Sequence, residues 1–195
     1  MKRTQNGVFS TRNLVMMAAL SAMQIILSRF LSIQATDMLR ISFESVPIIL
    51  SGLWLGPVSG ALVALISDFL GMMLFGNGAY FPLIVLGPLT VAVLCGLSSR
   101  HLLSGNLADD RNNWKLIATV IVTGIINSFL IGPVTTTLYS IIMKGNTTAF
   151  EVLLWTNLLG RFTTKPITIA INTLLVFVIN RTVYKPVIAR IVSRA

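Results

Sequence analysis

Three charged side chains interrupt apolar stretches of the sequence. Asp68 falls late in the stretch from residue 41 to residue 71, and Arg161 and Lys165 fall in the middle of another. Two residues four apart share one face of a helix. An ionisable group at membrane depth is costly and faces a cavity, a partner or a substrate. The two cations therefore predict an anion-binding face, and Asp68 predicts a second polar contact in the membrane.

Each of these residues also has a structural interpretation, which the sequence leaves open. Asp68 could pair with an internal cation and fix the helix register. Arg161 and Lys165 would lie at the interface if the last helix begins as late as Arg161, because long basic side chains reach from apolar surroundings to water.

Further polar and aromatic residues fall on the predicted outer side of the membrane. Binding sites for small ligands are mostly apolar, with a few polar groups that fix orientation. Aromatic residues at this depth are equally expected as an interfacial belt. The candidate lining residues are Arg29, Arg40, Phe43, Asn77, Tyr80 and Trp155.

The sequence carries no motif for catalysis or for nucleotide binding. It lacks G-x-x-x-x-G-K-[ST], H-E-x-x-H and G-x-S-x-G. His101 is the only histidine and Cys95 the only cysteine, so we expect neither a disulfide nor a metal site built from these residues. We therefore expect a protein that is not an enzyme, with no catalytic residues, metal or cofactor.

The composition indicates an integral membrane protein. The chain has 195 residues, of which 54% are hydrophobic and 11% charged, and its mean hydropathy is +0.83. Soluble domains contain about 25% charged residues. Residues 1–195 are expected to form a single membrane domain. We attribute the net charge of +9 to membrane topology rather than to nucleic-acid binding.

Apolar segments separated by turns predict an all-α fold with six transmembrane helices. The second is short, and Gly56-Pro57 separates it from the third. Gly52, Gly56, Gly60 and Ala64 recur at every fourth position, which favours close helix packing. Gly87-Pro88 and Gly132-Pro133 predict later interruptions. The expected helices cover residues 13–33, 45–55, 58–75, 80–98, 116–143 and 150–180, with a polar loop over 34–44.

The distribution of positive charge predicts the orientation. Of the 15 Lys and Arg residues, ten fall on the side that holds both termini and the connection between the fourth and fifth helices. Three fall on the opposite side and two within the sixth helix. Loops rich in Lys and Arg stay in the cytoplasm. We expect a multi-pass protein of the cell membrane with both termini cytoplasmic.

Four segments carry a resemblance to a known family. They are LSRFLSI, LRISFESVPIIL, GLWLGPVSGALVALISDFLG and GNGAYFP, and they follow a first helix with Ala18 and Ala22 four residues apart. This arrangement resembles the substrate-binding S components of energy-coupling factor (ECF) vitamin transporters over residues 12–100. It is most similar to the folate-specific type, with the pantothenate type close behind.

The resemblance implies high-affinity binding of one vitamin, folate, near the outer face of a six-helix protein. It also implies docking through Ala18 and Ala22 onto a transmembrane coupling protein that two cytoplasmic ATPase subunits drive, among membrane lipids and without nucleic acid. The aromatic candidates would stack on the pterin ring, Asp68 would bind its edge, and the basic residues would hold the glutamate tail. The alternatives are a pantothenate-binding S component, a membrane enzyme acting on an anionic lipid, and a standalone channel or carrier.

Overall fold

The fold consists mainly of helices that are long enough to cross a membrane. The computed structural model describes residues 10–30, 33–36, 39–41, 43–75, 82–103, 113–145 and 148–183. The helices are α1 Thr11–Phe30, α2 Ser45–Leu55, α3 Pro57–Phe75, α4 Leu86–His101, α5 Asn113–Ile125, α6 Gly132–Lys144 and α7 Phe150–Ile179. A 3-10 turn, Pro82–Val85, leads into α4, and a π-helical turn, Ile126–Ile131, joins α5 to α6.

A short β-hairpin follows α1. Its strands, β1 Ile33–Thr36 and β2 Leu39–Ile41, are antiparallel, with Ile33 opposite Ile41. The sequence predicted only a polar loop here, because the segment carries charged residues and is too short for a hydrophobic alternation to stand out. The hairpin leads directly into α2.

Glycine residues allow α2, α3 and α4 to pack closely. Gly56 ends α2 with φ +95°, and its N–H donates to the carbonyl oxygen of Gly52 at 3.0 Å. Pro57 then begins α3, so the predicted break lies where the sequence placed it. A Cβ on Gly60 would lie 2.9 Å from the Cα of Gly52, and one on Gly96 would meet the backbone of Pro57. These contacts place the backbones of the three helices against one another.

The apolar core lies between these helices. Leu50, Leu53, Val63, Ala92 and Cys95 are at most 1% exposed. These side chains form one hydrophobic cluster that α2, α3 and α4 share.

Two hydrogen bonds fasten the end of α2 to neighbouring helices. Ser99 Oγ donates to the carbonyl oxygen of Leu53 at 2.9 Å. Trp54 Nε1 donates to Asn180 Oδ1 at 3.1 Å, just beyond the end of α7. The C-terminal ends of α2 and α7 therefore lie at the same end of the bundle.

The helical breaks differ in kind from one another. Gly87 and Pro88 lie in the first turn of α4 rather than at a kink. The N–H groups of a first turn have no partner within the helix, so the N–H that proline lacks costs no helical hydrogen bond there. The break predicted at Gly132-Pro133 is a π-helical turn immediately before Gly132, and the chain stays helical through it. Pro166 lies inside α7 without ending it.

Within the described residues, five helical stretches are long and apolar enough to span a membrane, which agrees with the prediction of a helical membrane protein. α2 is a shorter apolar helix beside them. Large apolar side chains such as Val15, Met73 and Leu174 are more than 60% exposed, as lipid-facing residues are. The five stretches are Thr11–Ser28, Pro57–Phe75, Pro82–His101, Asn113–Met143 and Thr164–Val183.

Candidate functional site

A cavity of about 90 Å³ lies where the start of α2 meets α4, α5, the π-helical turn and α7. α2 begins at Ser45, and its first two turns contribute Ser45 and Ile49 to the wall. The lining residues are Glu44, Ser45, Ile49, Val91, Val120, Gly124, Asn127, Ser128, Lys165, Thr168, Ile169 and Asn172.

Helical spacing explains why polar groups converge on this cavity. Lys165, Thr168 and Asn172 are three and four residues apart, so they share one face of α7. Asn127 and Ser128 come from the π-helical turn, and π-helical turns occur frequently at functional sites. Among the lining residues, Lys165 is the one cation and Glu44 the one carboxylate. The cavity can therefore hold a ligand that combines hydrogen-bond donors with a negative charge.

Two amide oxygens in the lining have no hydrogen-bond partner within the described part of the protein. They are Asn127 Oδ1 and Asn172 Oδ1, and both are buried. A buried acceptor without a partner costs about 1–3 kcal/mol. These two asparagines of the lining therefore carry hydrogen-bonding capacity that the described part of the protein does not use. Gly87 of α4 allows close approach here, since a Cβ on it would lie 3.0 Å from Asn127 Oδ1.

Arg161 lies next to the cavity but outside its lining. Its Nη2 donates to the carbonyl oxygen of Gly132 at 3.1 Å and to Thr136 Oγ1 at 3.4 Å. Its Nη1 donates to the carbonyl oxygen of Ser128 at 3.4 Å. The guanidinium thus contacts the backbone on both sides of the junction between the π-helical turn and α6. Arg161 and Lys165 share a face of α7, as the sequence predicted, but they meet different surroundings.

The other candidates from the sequence are not brought together at the cavity. Asp68 is half-buried on α3, Phe43 is half-buried just before α2, and Trp155 is 61% exposed on α7. None of the three lines the cavity. Ala18 and Ala22 are both exposed on α1.

The remaining four candidates fall partly or wholly outside the described residues. Arg29 belongs to α1 and Arg40 to β2, but their side chains lie outside the description. Asn77 and Tyr80 lie outside the described residues altogether.

Several lining residues were missed by the sequence reasoning, which gave priority to full charges. Glu44 was assigned to a loop, and the amides Asn127 and Asn172 were not considered. A signal for the amides was present. Asn172 lies seven residues after Lys165, two turns along the same helical face, and polar side chains inside apolar helices face the protein interior.

Comparison with known proteins identifies the family. Residues 12–180 match the model of the family described as ECF transporter, substrate-specific component. The chain belongs to this family of S components. Its members are transporter components rather than enzymes, so the non-enzymatic class expected from the sequence agrees with the family.

Two curated relatives of this S component carry the name folate transporter FolT. One, from Clostridium novyi (strain NT), is 42% identical over 84 residues, which are 43% of this chain and 48% of that protein. The other, from Leuconostoc mesenteroides subsp. mesenteroides, is 36% identical over 81 residues, which are 40% of this chain and 43% of that protein. The match thus spans about half the length of each relative.

A solved structure shares the fold. The crystal structure of FolT bound with folic acid superposes with a TM-score of 0.66, covering 89% of this chain and 95% of that one. The two chains are 21% identical over this match. At that level of identity the likeness shows the fold of this S component and nothing about its ligand.

Proposed function

We propose that this S component binds folate in the cavity between α2 and α7 and supplies it to an ECF-type importer of the cell membrane. In this proposal it associates with a transmembrane coupling protein and two cytoplasmic ATPase subunits. The observation that carries the proposal is the cavity lining, which combines one cation, one carboxylate and two asparagines whose amide oxygens have no partner within the described residues. The relatives named folate transporters support the choice of ligand.

The proposed topology has six membrane helices and cytoplasmic termini. α5, the π-helical turn and α6 count as one membrane helix, and α2 counts as one although it is short. The excess of Lys and Arg at the termini and after α4 supports this orientation. It places the beginning of α2, and with it the cavity, towards the outer face. Vitamin would then enter from outside, as an importer requires.

The chemistry of folate suits the two kinds of polar group in the lining. Its pterin ring carries an amino group and a ring N–H, which can donate to Asn127 Oδ1, Asn172 Oδ1 and the Glu44 carboxylate. Its glutamate tail carries carboxylates, which the Lys165 ammonium would attract. The apolar side chains of Ile49, Val91 and Ile169 would cover the ring faces.

The size of the cavity limits which part of folate it encloses. Sites for drug-sized ligands have volumes of about 300 Å³ or more, and this cavity measures about 90 Å³. We therefore assign the pterin ring to the cavity and place the glutamate tail at its outer end, near Lys165.

Uptake measurements test the transport role. Cells that lack their own folate uptake would express this chain alone, the ECF module alone, or both together. We expect accumulation of labelled folate only when both are present, since the sequence has no nucleotide-binding motif of its own. Uptake by the chain alone, reproduced in proteoliposomes, would instead favour a standalone carrier.

A further inference from the structure

The hydrogen bonds of Arg161 point to a missing backbone donor in the membrane. In a π-helix, the N–H of each residue donates to the carbonyl oxygen five residues earlier. Gly132 follows this pattern, since its N–H donates to the carbonyl oxygen of Asn127. The next residue is Pro133, which has no N–H. In this register the carbonyl oxygen of Ser128 therefore loses its backbone donor.

The guanidinium of Arg161 donates to the carbonyl oxygen that lacks this donor. Nη1 lies 3.4 Å from the Ser128 carbonyl oxygen, and Nη2 lies 3.1 Å from that of Gly132. Each backbone polar group left without a partner in a bilayer costs several kcal/mol. A single side chain thus contacts acceptors on both sides of the junction, although the Gly132 carbonyl oxygen also accepts from the hydroxyls of Thr135 and Thr136. Arg161 supplies what the proline removes.

Gly132 is the residue that makes room for this contact. A Cβ at position 132 would meet Nη1 of Arg161 and would lie 2.9 Å from its Cζ. Any side chain larger than hydrogen would therefore push the guanidinium away from the backbone. The contact between α6 and α7 therefore requires glycine at 132 and arginine at 161, and it compensates for proline at 133.

The same junction sets the direction of two cavity residues. Asn127 and Ser128 line the cavity and belong to the π-helical turn. A π-helical turn holds one residue more than the α-helical turn it replaces. Each residue advances an α-helix by about 100°, so conversion of this turn to α-helix would rotate α5 relative to α6 by a similar angle. Asn127 and Ser128 would then present different groups to the cavity. Stabilising the turn therefore keeps the cavity wall in place.

We propose that Arg161 is a positioning residue, which replaces the N–H missing at Pro133, holds the π-helical turn and so aims Asn127 and Ser128 at the vitamin. This inference rests on the proposed function for its ligand but not for its structural part. It gives Arg161 a different task from Lys165, although the two cations lie on the same face of α7. Lys165 would contact the ligand, and Arg161 would act through the backbone.

The test measures the affinity of two ligands for three variants, which are Arg161→Met, Lys165→Met and Arg161→Met combined with Pro133→Ala. Folate carries the glutamate tail, and 6-hydroxymethylpterin has the ring without any carboxylate. Arg161→Met keeps an unbranched side chain without donors, and we expect it to weaken both ligands by about tenfold or more, in similar proportion. Lys165→Met serves as the matched control, and we expect it to weaken folate far more than the pterin.

The decisive comparison asks whether a substitution at Pro133 restores the ligand affinity that Arg161→Met loses. Arg161→Met combined with Pro133→Ala returns a backbone N–H at position 133. We expect the double variant to bind both ligands more tightly than Arg161→Met alone. If Arg161 instead stabilised another part of the protein, a backbone N–H at position 133 would not restore binding. Absence of rescue would overturn the proposal, as would a loss confined to folate, which would make Arg161 a direct ligand of the tail.

A measurement without ligand separates this proposal from the assignment of folate. Hydrogen exchange of peptides covering residues 126–137 should be faster in Arg161→Met than in the wild type, and slower again in the double variant. If the wild type binds neither ligand, the function proposed above fails while this exchange comparison still decides the role of Arg161. Unchanged exchange in Arg161→Met would contradict it.

A second variant covers the case in which Arg161→Met does not fold. Gly132→Ala displaces the guanidinium while Arg161 itself is kept. We expect the same loss of affinity for both ligands and the same faster exchange over residues 126–137. Wild-type behaviour of Gly132→Ala on both measurements would overturn the proposal.

Discussion

Glu44 lines the cavity, whereas Asp68 is half-buried on α3 outside it. We predict that Glu44→Gln weakens folate binding by about tenfold, because a charge-assisted hydrogen bond to the pterin edge becomes a neutral one. Asp68→Asn should change the affinity by less than about twofold. Calorimetric titration of both detergent-purified variants measures this difference. A large loss in Asp68→Asn with none in Glu44→Gln would restore the role that the sequence assigned to Asp68.

At the scale of single residues, the sequence identified the type of group but only part of the site. Of the two cations that the sequence assigned to an anion-binding face, Lys165 lines the cavity and Arg161 lies beside it, and the role of both in binding stays a prediction. The carboxylate of the lining could not be assigned in the same way. Asp68 and Glu44 both lie beside apolar stretches of the sequence, and only the packing of α2 against α7 brings Glu44 to the cavity.

Helices α2, α3 and α4 depend on glycine at their contacts. Gly96→Ala adds a Cβ that would meet the backbone of Pro57, which cannot rotate away. We expect it to destabilise the protein by about 1–3 kcal/mol, as overpacking does. Gly160→Ala is the matched control, because its Cβ has no neighbouring atom within 4 Å and alanine favours the helix.

Thermal unfolding of the detergent-purified variants checks this pair of substitutions. The unfolding midpoint should fall in Gly96→Ala and stay level or rise in Gly160→Ala. Equal midpoints for the two variants would show that the close contact between α3 and α4 contributes no stability.

At the scale of helices, the sequence predicted which segments are helical better than it predicted the irregular turns within and between them. The break at Gly56-Pro57 was predictable because proline and glycine act locally. The π-helical turn was not, since it depends on Arg161, which is 28 residues after Pro133 in the sequence but in contact with its neighbours. The hairpin of β1 and β2 was missed for a similar reason, because strand pairing is decided between segments rather than within them.

Under the proposed function, the whole molecule associates with a coupling protein as well as binding folate. Ala18 and Ala22 are exposed on α1, where small side chains allow another helix to approach closely. We predict that Ala18→Leu with Ala22→Leu abolishes folate uptake in the presence of the ECF module while leaving folate affinity unchanged. Ala170→Leu, on the exposed face of α7, is the matched control and should leave both intact. Normal uptake by the double variant would exclude this docking face.

The most direct test of folate recognition is a calorimetric titration of the purified wild-type protein with folate, repeated in the presence of excess pantothenate, riboflavin, thiamine or biotin. We predict one-to-one binding of folate that none of the four displaces, because none of them offers the pterin edge that the proposed function assigns to Asn127, Asn172 and Glu44. Displacement by pantothenate, or no binding of folate by the folded protein, would contradict the assignment of folate to this S component.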